Sequence, residues 1–305
     1  MSEELDVRTD SELDADDAFT LLGDETRLAI LRALGDAAEP GEVTPLSFSE
    51  LRERADVAGS GRFNYHLGEL VGHFVEKVER PDGPAGYRLR FPGVRVYRTL
   101  RAGTFTESLR VEPFELDSDC HACDARLEAE YRDLVFRIEC PDCESSYYHC
   151  HLPPSSIDPD SRAATLRVVD RRVRDYLSSL SNAICQFCSG RMDIRLLDPD
   201  EDHRYADDAA NEVLVRRECD RCGSFHYTRV GEHLLDHPAV VSFCYERGLD
   251  LSAEYVWDLE FVSSDNNTEL LGADPWRVAV TVEAGGDRLR VVVDESFDAV
   301  DVEEL

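Results

Sequence analysis

Four Cys-x-x-Cys pairs constrain this chain more than any other feature: Cys120/Cys123, Cys140/Cys143, Cys185/Cys188 and Cys219/Cys222. Two residues between cysteines let both thiolates reach one ion from a tight knuckle, and two knuckles complete a tetrahedral sulfur set. Sixteen residues separate the first two knuckles and 30 the second two. The first spacing suits a zinc ribbon, and an acidic loop at 198–208 absorbs the excess in the second. Each set brackets a hairpin pattern. Leu127, Ala129 and Tyr131 alternate outward, Arg132-Asp133 turns, and Leu134, Phe136 and Ile138 alternate back. In the second set Met192, Ile194 and Leu196 lead out, and Val213 and Val215 lead back. Disulfides are the competing use of such cysteines, but a reducing cytosol disfavours them. The expectation is two Zn2+ ions, each closed by four thiolates and therefore structural rather than catalytic.

The remaining sulfur and imidazole groups read as ordinary structure. His149-Cys150-His151 fits the end of a strand, because four thiolates already saturate the ion. Cys244 falls in an apolar helix at 238–247 and is expected in the core, while His121 and His203 are expected in exposed turns. Between the ribbons a helix from Ser161 to Leu180 carries Leu166, Val169, Val173, Tyr176 or Leu177, and Leu180 on one face. Its Arg162, Arg167, Arg171, Arg172 and Arg174 outnumber Asp170 and Asp175; internal pairing is preferred over nucleic-acid contact. Pro238 and Gly248 bound the helix after the second ribbon. Trp257 to Val262 reads as a strand. Val278, Val280 and Val282, a turn at 284–287, then Leu289, Val291 and Val293 read as a hairpin, followed by a frayed acidic tail from Asp294.

The first third of the chain differs in kind. A helix at Asp16–Leu22 ends at Gly23, and Asp24 caps a second helix with core positions Leu28, Ile30, Leu31 and Leu34; the Ala-Glu-Pro-Gly stretch at 38–41 ends it. Ser47 and Glu50 form a capping box, with Leu46 placed to staple onto Leu51. After the turn Ala58-Gly59-Ser60-Gly61, Phe63, Leu67, Leu70, Val71 and Phe74 make a helical stripe. The opposite face holds Asn64, Tyr65, Glu69 and three glycines, with Arg62 at its edge. Lys77 to Arg80, Pro81-Asp82-Gly83-Pro84 and Tyr87 to Phe91 predict a hairpin, and Val94, Tyr97 and Leu100 lie on one face of a closing helix suited to a dimer contact.

Charge supports a role for that segment. The chain carries 64 acidic and 33 basic residues, a formal net of −31. From Gly61 to Arg101, eight basic residues meet four acidic ones, a local net of +4. A basic island over the third helix and the hairpin is what phosphate binding needs. Lys77 is the only lysine, and this arginine-rich, acid-dense composition resembles that of extreme halophiles. Dense carboxylates keep such a surface hydrated, and molar salt screens their repulsion. The first twenty residues hold eight acidic side chains and no apolar core, and no apolar run of membrane length follows, so a cytoplasmic chain is expected.

The stretch Gly23-Asp24-Glu25-Thr26-Arg27-Leu28-Ala29-Ile30-Leu31 is similar to the opening of arsenic-repressor-type (ArsR-type) regulators, and Asn64-Tyr65-His66-Leu67 sits where that family has its recognition helix. The resemblance covers the first third of the chain. Several haloarchaeal regulators join such a winged helix-turn-helix to a zinc-ribbon region, and the chain resembles them. The family's metal sensors carry Cys-x-Cys in the helix before the turn; here Phe48-Ser49-Glu50-Leu51-Arg52-Glu53-Arg54 has no cysteine, so sensing there is not implied.

The resemblance implies a dimeric transcription regulator that binds an operator in double-stranded DNA. Ser60, Arg62, Asn64, Tyr65 and His66 are expected at bases and phosphates, with Arg88 and Arg90 on the wing. The competing reading is an adaptor that docks on transcription machinery without reading sequence. No phosphate-binding glycine loop, nucleophile motif or open three-ligand site is visible, so an enzyme is not expected.

The expected fold class is α+β. A disordered acidic tail (1–13) precedes a winged helix-turn-helix (14–110), zinc ribbon 1 (111–155), a connecting helix (156–182), zinc ribbon 2 (183–235), and a short helix with a small β-hairpin and acidic tail (236–305).

Overall fold

The computed structural model describes residues 13–38, 45–80, 83–197, 213–273 and 275–305. The expected N-terminal tail, the Pro81-Asp82 turn tip and the 198–208 loop with His203 lie outside those residues. The chain divides into two compact units, Met1–Glu107 and Ser108–Leu305.

The first unit begins with α1 (Ala15–Leu22) and α2 (Glu25–Asp36). Asp14 and Asp24 cap them, each side chain accepting a backbone N–H three residues on. β1 (Leu46–Ser47) leads into α3 (Phe48–Arg54), whose capping box forms fully between Ser47 and Glu50. Gly59 at φ +87° then turns the chain into α4 (Ser60–Leu70). β2 (Val75–Arg80) and β3 (Gly83–Leu89) form the hairpin, and α5 (Phe91–Arg101) closes the unit. β1 adds a strand absent from the sequence reading, giving the antiparallel order β1-β3-β2.

Phe63, Leu67 and Leu70 from α4 bury against Ile30, Leu31 and Leu34 from α2 in one core that also includes Leu46, Leu51 and Val75. Each such side chain contributes about 1.5–3 kcal/mol by leaving water. Leu28 is only half-buried, and Thr26 faces the core beside it. α4 is shorter than the apolar stripe suggests. Val71 is its C-cap, in extended backbone, and Phe74 reaches the core from the turn beyond. Tyr97 on α5 is turned inward: an ideal Cβ on Gly35 would lie 2.3 Å from its ring, and its hydroxyl donates to Asp36 at 2.7 Å.

The second unit starts with a four-stranded meander, β4 (Val111–Asp119), β5 (Arg126–Arg132), β6 (Val135–Glu139) and β7 (Ser146–His151), in sequential order. α6 (Arg162–Ser181) follows, capped by Ser161. β8 (Met192–Leu196), β9 (Leu214–Cys219) and β10 (Phe225–Arg229) make a second antiparallel sheet in the order β10-β9-β8. α7 (Pro238–Glu246) and α8 (Glu260–Ser263) precede a third sheet, β11 (Thr268–Ala273), β12 (Trp276–Ala284), β13 (Asp287–Asp294) and β14 (Ala299–Glu304). One hydrophobic cluster runs from Leu116 through Tyr131, Val169, Val215, Phe243 and Trp257 to Val293, so both cysteine modules share a core with α6 and the last sheet.

Two expectations fail in this unit. Residues 257–262 are not a strand: a 3-10 turn at Val256–Asp258 runs into α8. The backbone closes local turns there instead, with the Asp258 N–H on the Tyr255 carbonyl at 3.0 Å and the Ser264 N–H on the Glu260 carbonyl at 2.9 Å. The acidic tail is ordered as β14, paired to β13 through registers such as Val291↔Val302. Arg247 anchors its end to Glu304 at 2.7 Å, and alternating carboxylates on this edge oppose further strand pairing. The expected hairpin at 278–293 forms and is the centre of a four-stranded sheet.

Candidate functional site

Each cysteine knuckle is built by the same local hydrogen bonds. The carbonyls of Cys120, Cys140, Cys185 and Cys219 accept the N–H four residues on, at 2.8–3.0 Å. Their own N–H groups donate to the carbonyl five residues on, at 2.7–2.9 Å. The fourth residue has positive φ each time: Asp124 (60°), Glu144 (60°), Ser189 (56°) and Gly223 (70°). That left-handed residue reverses the chain so that both thiols of a knuckle point the same way.

The eight cysteines form two groups, Cys120/Cys123/Cys140/Cys143 and Cys185/Cys188/Cys219/Cys222, each with all sulfurs within 4.8 Å of one another. Sulfurs across the knuckles lie 3.6 and 3.5 Å apart in the first group, and 3.6 and 3.4 Å in the second. A tetrahedron with metal–sulfur bonds of about 2.3 Å needs edges of about 3.8 Å. Backbone N–H groups of Ala122 and Gly190 approach Cys120 and Cys188 at 3.4 Å, as donors to thiolates do. The Ser145 hydroxyl, 3.1 Å from Cys143, lowers that thiol to about 6. Both groups can hold a metal ion in a zinc-ribbon-like module, and neither leaves a ligand position open.

The sequence reading missed how the first site is strapped to the core. His121, inside its first knuckle, is half-buried rather than exposed. Its N–H donates to the Tyr147 hydroxyl at 2.6 Å, and its ring nitrogen meets the Trp257 carbonyl at 3.1 Å. Residues 136 positions apart leave no local signal. Cys150 lies at the end of β7 and Cys244 is buried in α7, as expected. On α6, Arg174 pairs with Asp170 at 3.0 Å, Arg172 donates to Gln186 at 3.2 Å, and Arg162 lies over the Phe114 ring. Arg167 and Arg171 are exposed.

A fully buried arginine was also missed. Arg217 has 0% exposure, donates to the Leu180 carbonyl and the Thr228 hydroxyl, meets His233 and lies over the Phe297 ring. The inward alternation Val213, Val215, Arg217, Cys219 was the available signal.

In the first unit, Ser60, Arg62, Asn64 and Tyr65 lie exposed along α4, Tyr65 at 60%. Arg62 also donates to the Thr26 hydroxyl at 3.1 Å. His66 turns inward, its ring 3.4 Å from the Asp24 carboxylate. Arg88 pairs with Glu76 across the hairpin at 2.6 Å, whereas Arg90 is exposed and has no partner among the described residues. An ideal Cβ on Gly61 or Gly68 would meet nothing within 4 Å, so this face of α4 is open within the described unit.

Residues 117–299, more than half of the chain, match the family described as a domain of unknown function, DUF7351, and the chain belongs to that family. Residues 15–100 match a second domain of unknown function, DUF7347. No curated protein and no solved structure matches the chain. Among the described residues, no helix is long and apolar enough to cross a membrane.

Proposed function

We propose that the chain is a DNA-binding transcription regulator with two structural zinc ions. α4 is its recognition helix and the β2–β3 hairpin its wing, the order of elements in winged helix-turn-helix domains. The observation that carries this reading is the split character of α4. Phe63, Leu67 and Leu70 anchor it, while Ser60, Asn64, Tyr65 and the glycines at 61 and 68 present a polar, uncovered face; Lys77 and Arg90 of the hairpin segment are also exposed. A glycine-lined helix face admits a close backbone, and asparagine can read adenine bidentately. Arg62 and Arg88 are partly engaged inside the unit, so Asn64, Tyr65 and Arg90 are the leading contacts. Dimer formation on an inverted repeat is part of the proposal. The metal assignment follows from the all-thiolate, closed ligand sets.

The test is selection from a random duplex pool with the full chain in molar potassium chloride, comparing wild type with Asn64→Ala and Tyr65→Ala. Wild type is expected to enrich one inverted repeat. Asn64→Ala should lose about 1–3 kcal/mol of discrimination at one base pair per half-site. No enriched sequence, or an unchanged one in both variants, overturns the reading and leaves the adaptor role.

A further inference from the structure

The first two sheets of the second unit end on the same cavity. β7 is the last strand of one and β10 the last strand of the other, and the two are not paired to each other. Between them lies a space of about 460 Å³, floored by Val173, Tyr176 and Leu177 of α6. Every residue of β7 and of β10 lines it. Side chains alternate between the faces of a strand, so an unbroken run of lining residues marks a strand that turns its main-chain edge to the space.

The ladder shows which groups of β7 face that way. The Leu152 N–H donates to the Leu134 carbonyl at 2.9 Å, and the register continues through Phe136↔Cys150 and Ile138↔Tyr148. Main-chain groups alternate sides along an antiparallel strand, so those of Cys150 and Tyr148 serve β6 and those of His149 and His151 point away from it. Neither histidine has a main-chain partner on that side among the described residues, and both are exposed. β10 runs antiparallel to β7 across the gap. Arg229 Nη2 donates to the Ser146 carbonyl at 3.1 Å at one end, and the His151 and His226 rings lie 6.5 and 6.3 Å from the Phe187 ring at the other. The β7 sequence Ser-Tyr-Tyr-His-Cys-His holds no lysine, proline or carboxylate to blunt its edge, in contrast to β14.

Charge indicates which strand would fit. Arg172, held from one side by Gln186 at 3.2 Å, and Arg229 bring two guanidiniums to the cavity. Glu232 is the one carboxylate among the described lining residues. It already accepts the Arg229 N–H at 3.2 Å and lies 4.0 Å from its guanidinium. In a chain of net charge −31, this is a locally positive wall.

We propose that an extended acidic peptide adds to the free edge of β7, its main chain pairing with His149 and His151, apolar side chains on the α6 floor and its negative charge answered by Arg172. In such strand addition the ladder supplies affinity and the alternate side chains select the partner. The inference is independent of the DNA-binding reading, because every lining residue belongs to the second unit.

The experiment is a fluorescence-anisotropy titration of the zinc-loaded full chain with labelled Glu-Val-Glu-Thr-Glu-Val at constant ionic strength. Two control peptides replace each Glu by Lys or carry N-methyl groups throughout. The acidic peptide should bind saturably, about tenfold or more tighter than the lysine form, and N-methylation should abolish binding. Binding should slow hydrogen exchange at the His149 and His151 amides about tenfold. His149→Pro removes an outward N–H that the β6 ladder does not use, so it should weaken the peptide about tenfold with circular dichroism and zinc content unchanged. Arg172→Gln should weaken it severalfold. No saturable binding, equal binding of either control peptide, or unslowed exchange at both histidines overturns the proposal. The exchange readout uses the unmutated chain, so it decides the matter even where the proline variant fails to fold.

Discussion

Asp170 is the side chain whose loss should most clearly test how the second unit is held together. It is buried on α6, and its Oδ1 accepts the Val256 N–H at 2.8 Å. Its two oxygens also receive Arg174 Nε at 3.1 and 3.0 Å, and Arg174 Nη2 continues to the Glu254 carbonyl at 2.7 Å. One carboxylate therefore ties α6 to the turn that carries Trp257.

Asp170→Ala strands a buried N–H, at about 1–3 kcal/mol, and a mostly buried guanidinium. Breaking a buried pair from one side costs about 3–5 kcal/mol in total. Asp170→Asn keeps the shape and one acceptor but faces its amide N–H toward Arg174, so about 2–3 kcal/mol is expected. The double variant with Arg174→Met should cost less than the sum of the singles by about 1–3 kcal/mol. Urea unfolding read by tryptophan fluorescence isolates this unit, because both tryptophans, Trp257 and Trp276, belong to it. Since the pair is shielded from solvent, its loss should change little with potassium chloride. A cost below about 1 kcal/mol for Asp170→Asn, or additive singles, would refute this account.

Three further outcomes are expected. Glu232 has its folded pKa raised to about 7, so the folded state keeps a proton that the unfolded chain releases near its ordinary value of 4.5. Its contribution to stability is present below 4.5 and lost as pH rises toward 7; Glu232→Gln should therefore gain on wild type by about 2–4 kcal/mol across that window, measured by urea midpoints at each pH. Elemental analysis should find two zinc ions per chain, one in Cys188→Ser, and fewer than one in Cys120→Ser, because the second unit holds both sites. A structural zinc is worth about 10–16 kcal/mol, more than most domains' net stability. Cys120 and Cys140 sit in the main core, so Cys120→Ser should collapse the second unit, whereas the small cluster around Cys185 and Cys219 predicts local fraying of β8–β10 for Cys188→Ser. Gly35→Ala drives a methyl into the Tyr97 ring and should destabilise the first unit by about 1–3 kcal/mol, lowering the circular-dichroism transition while leaving tryptophan fluorescence unmoved.

Local chemistry was the legible part of this fold. The capping box at Ser47/Glu50, the Asp24 cap, the α6 stripe and the cysteine sets depend on residues within one turn or one knuckle, and each forms as expected. What escaped the sequence was decided at a distance. Trp257–Val262 has strand-forming residues, but it is held by long-range bonds to His121, Ser118 and Asp170 and folds as a turn and a short helix. The tail from Asp294 has six carboxylates and reads as frayed by charge alone, yet β13 offers it a backbone ladder and Arg247 a counter-charge. Arg217 violates the rule that strands bury apolar residues, and only its partners from α6, β10 and the 231–234 turn explain it. The cavity of about 460 Å³ in the second unit has no sequence signature, since its lining comes from β7, α6, β9 and β10 and from the turns that hold Gln186 and Glu232.

The two cysteine sites gain a purpose beyond stability from where their knuckles lead. Ser146 and Tyr147, just past the Cys143 knuckle, and Gln186, between Cys185 and Cys188, all line the cavity. Gln186 in turn fixes Arg172, and Tyr147 fixes His121. A metal at each site would therefore hold one wall in register without touching anything bound between them. Stripping the second site should fray β8–β10 and release Gln186, and with it the Arg172 guanidinium. Hydrogen exchange should then quicken across β8–β10 in Cys188→Ser and stay slow across β12 and β13. If exchange across β8–β10 is unchanged in the cysteine variant, the metal does not organise that wall.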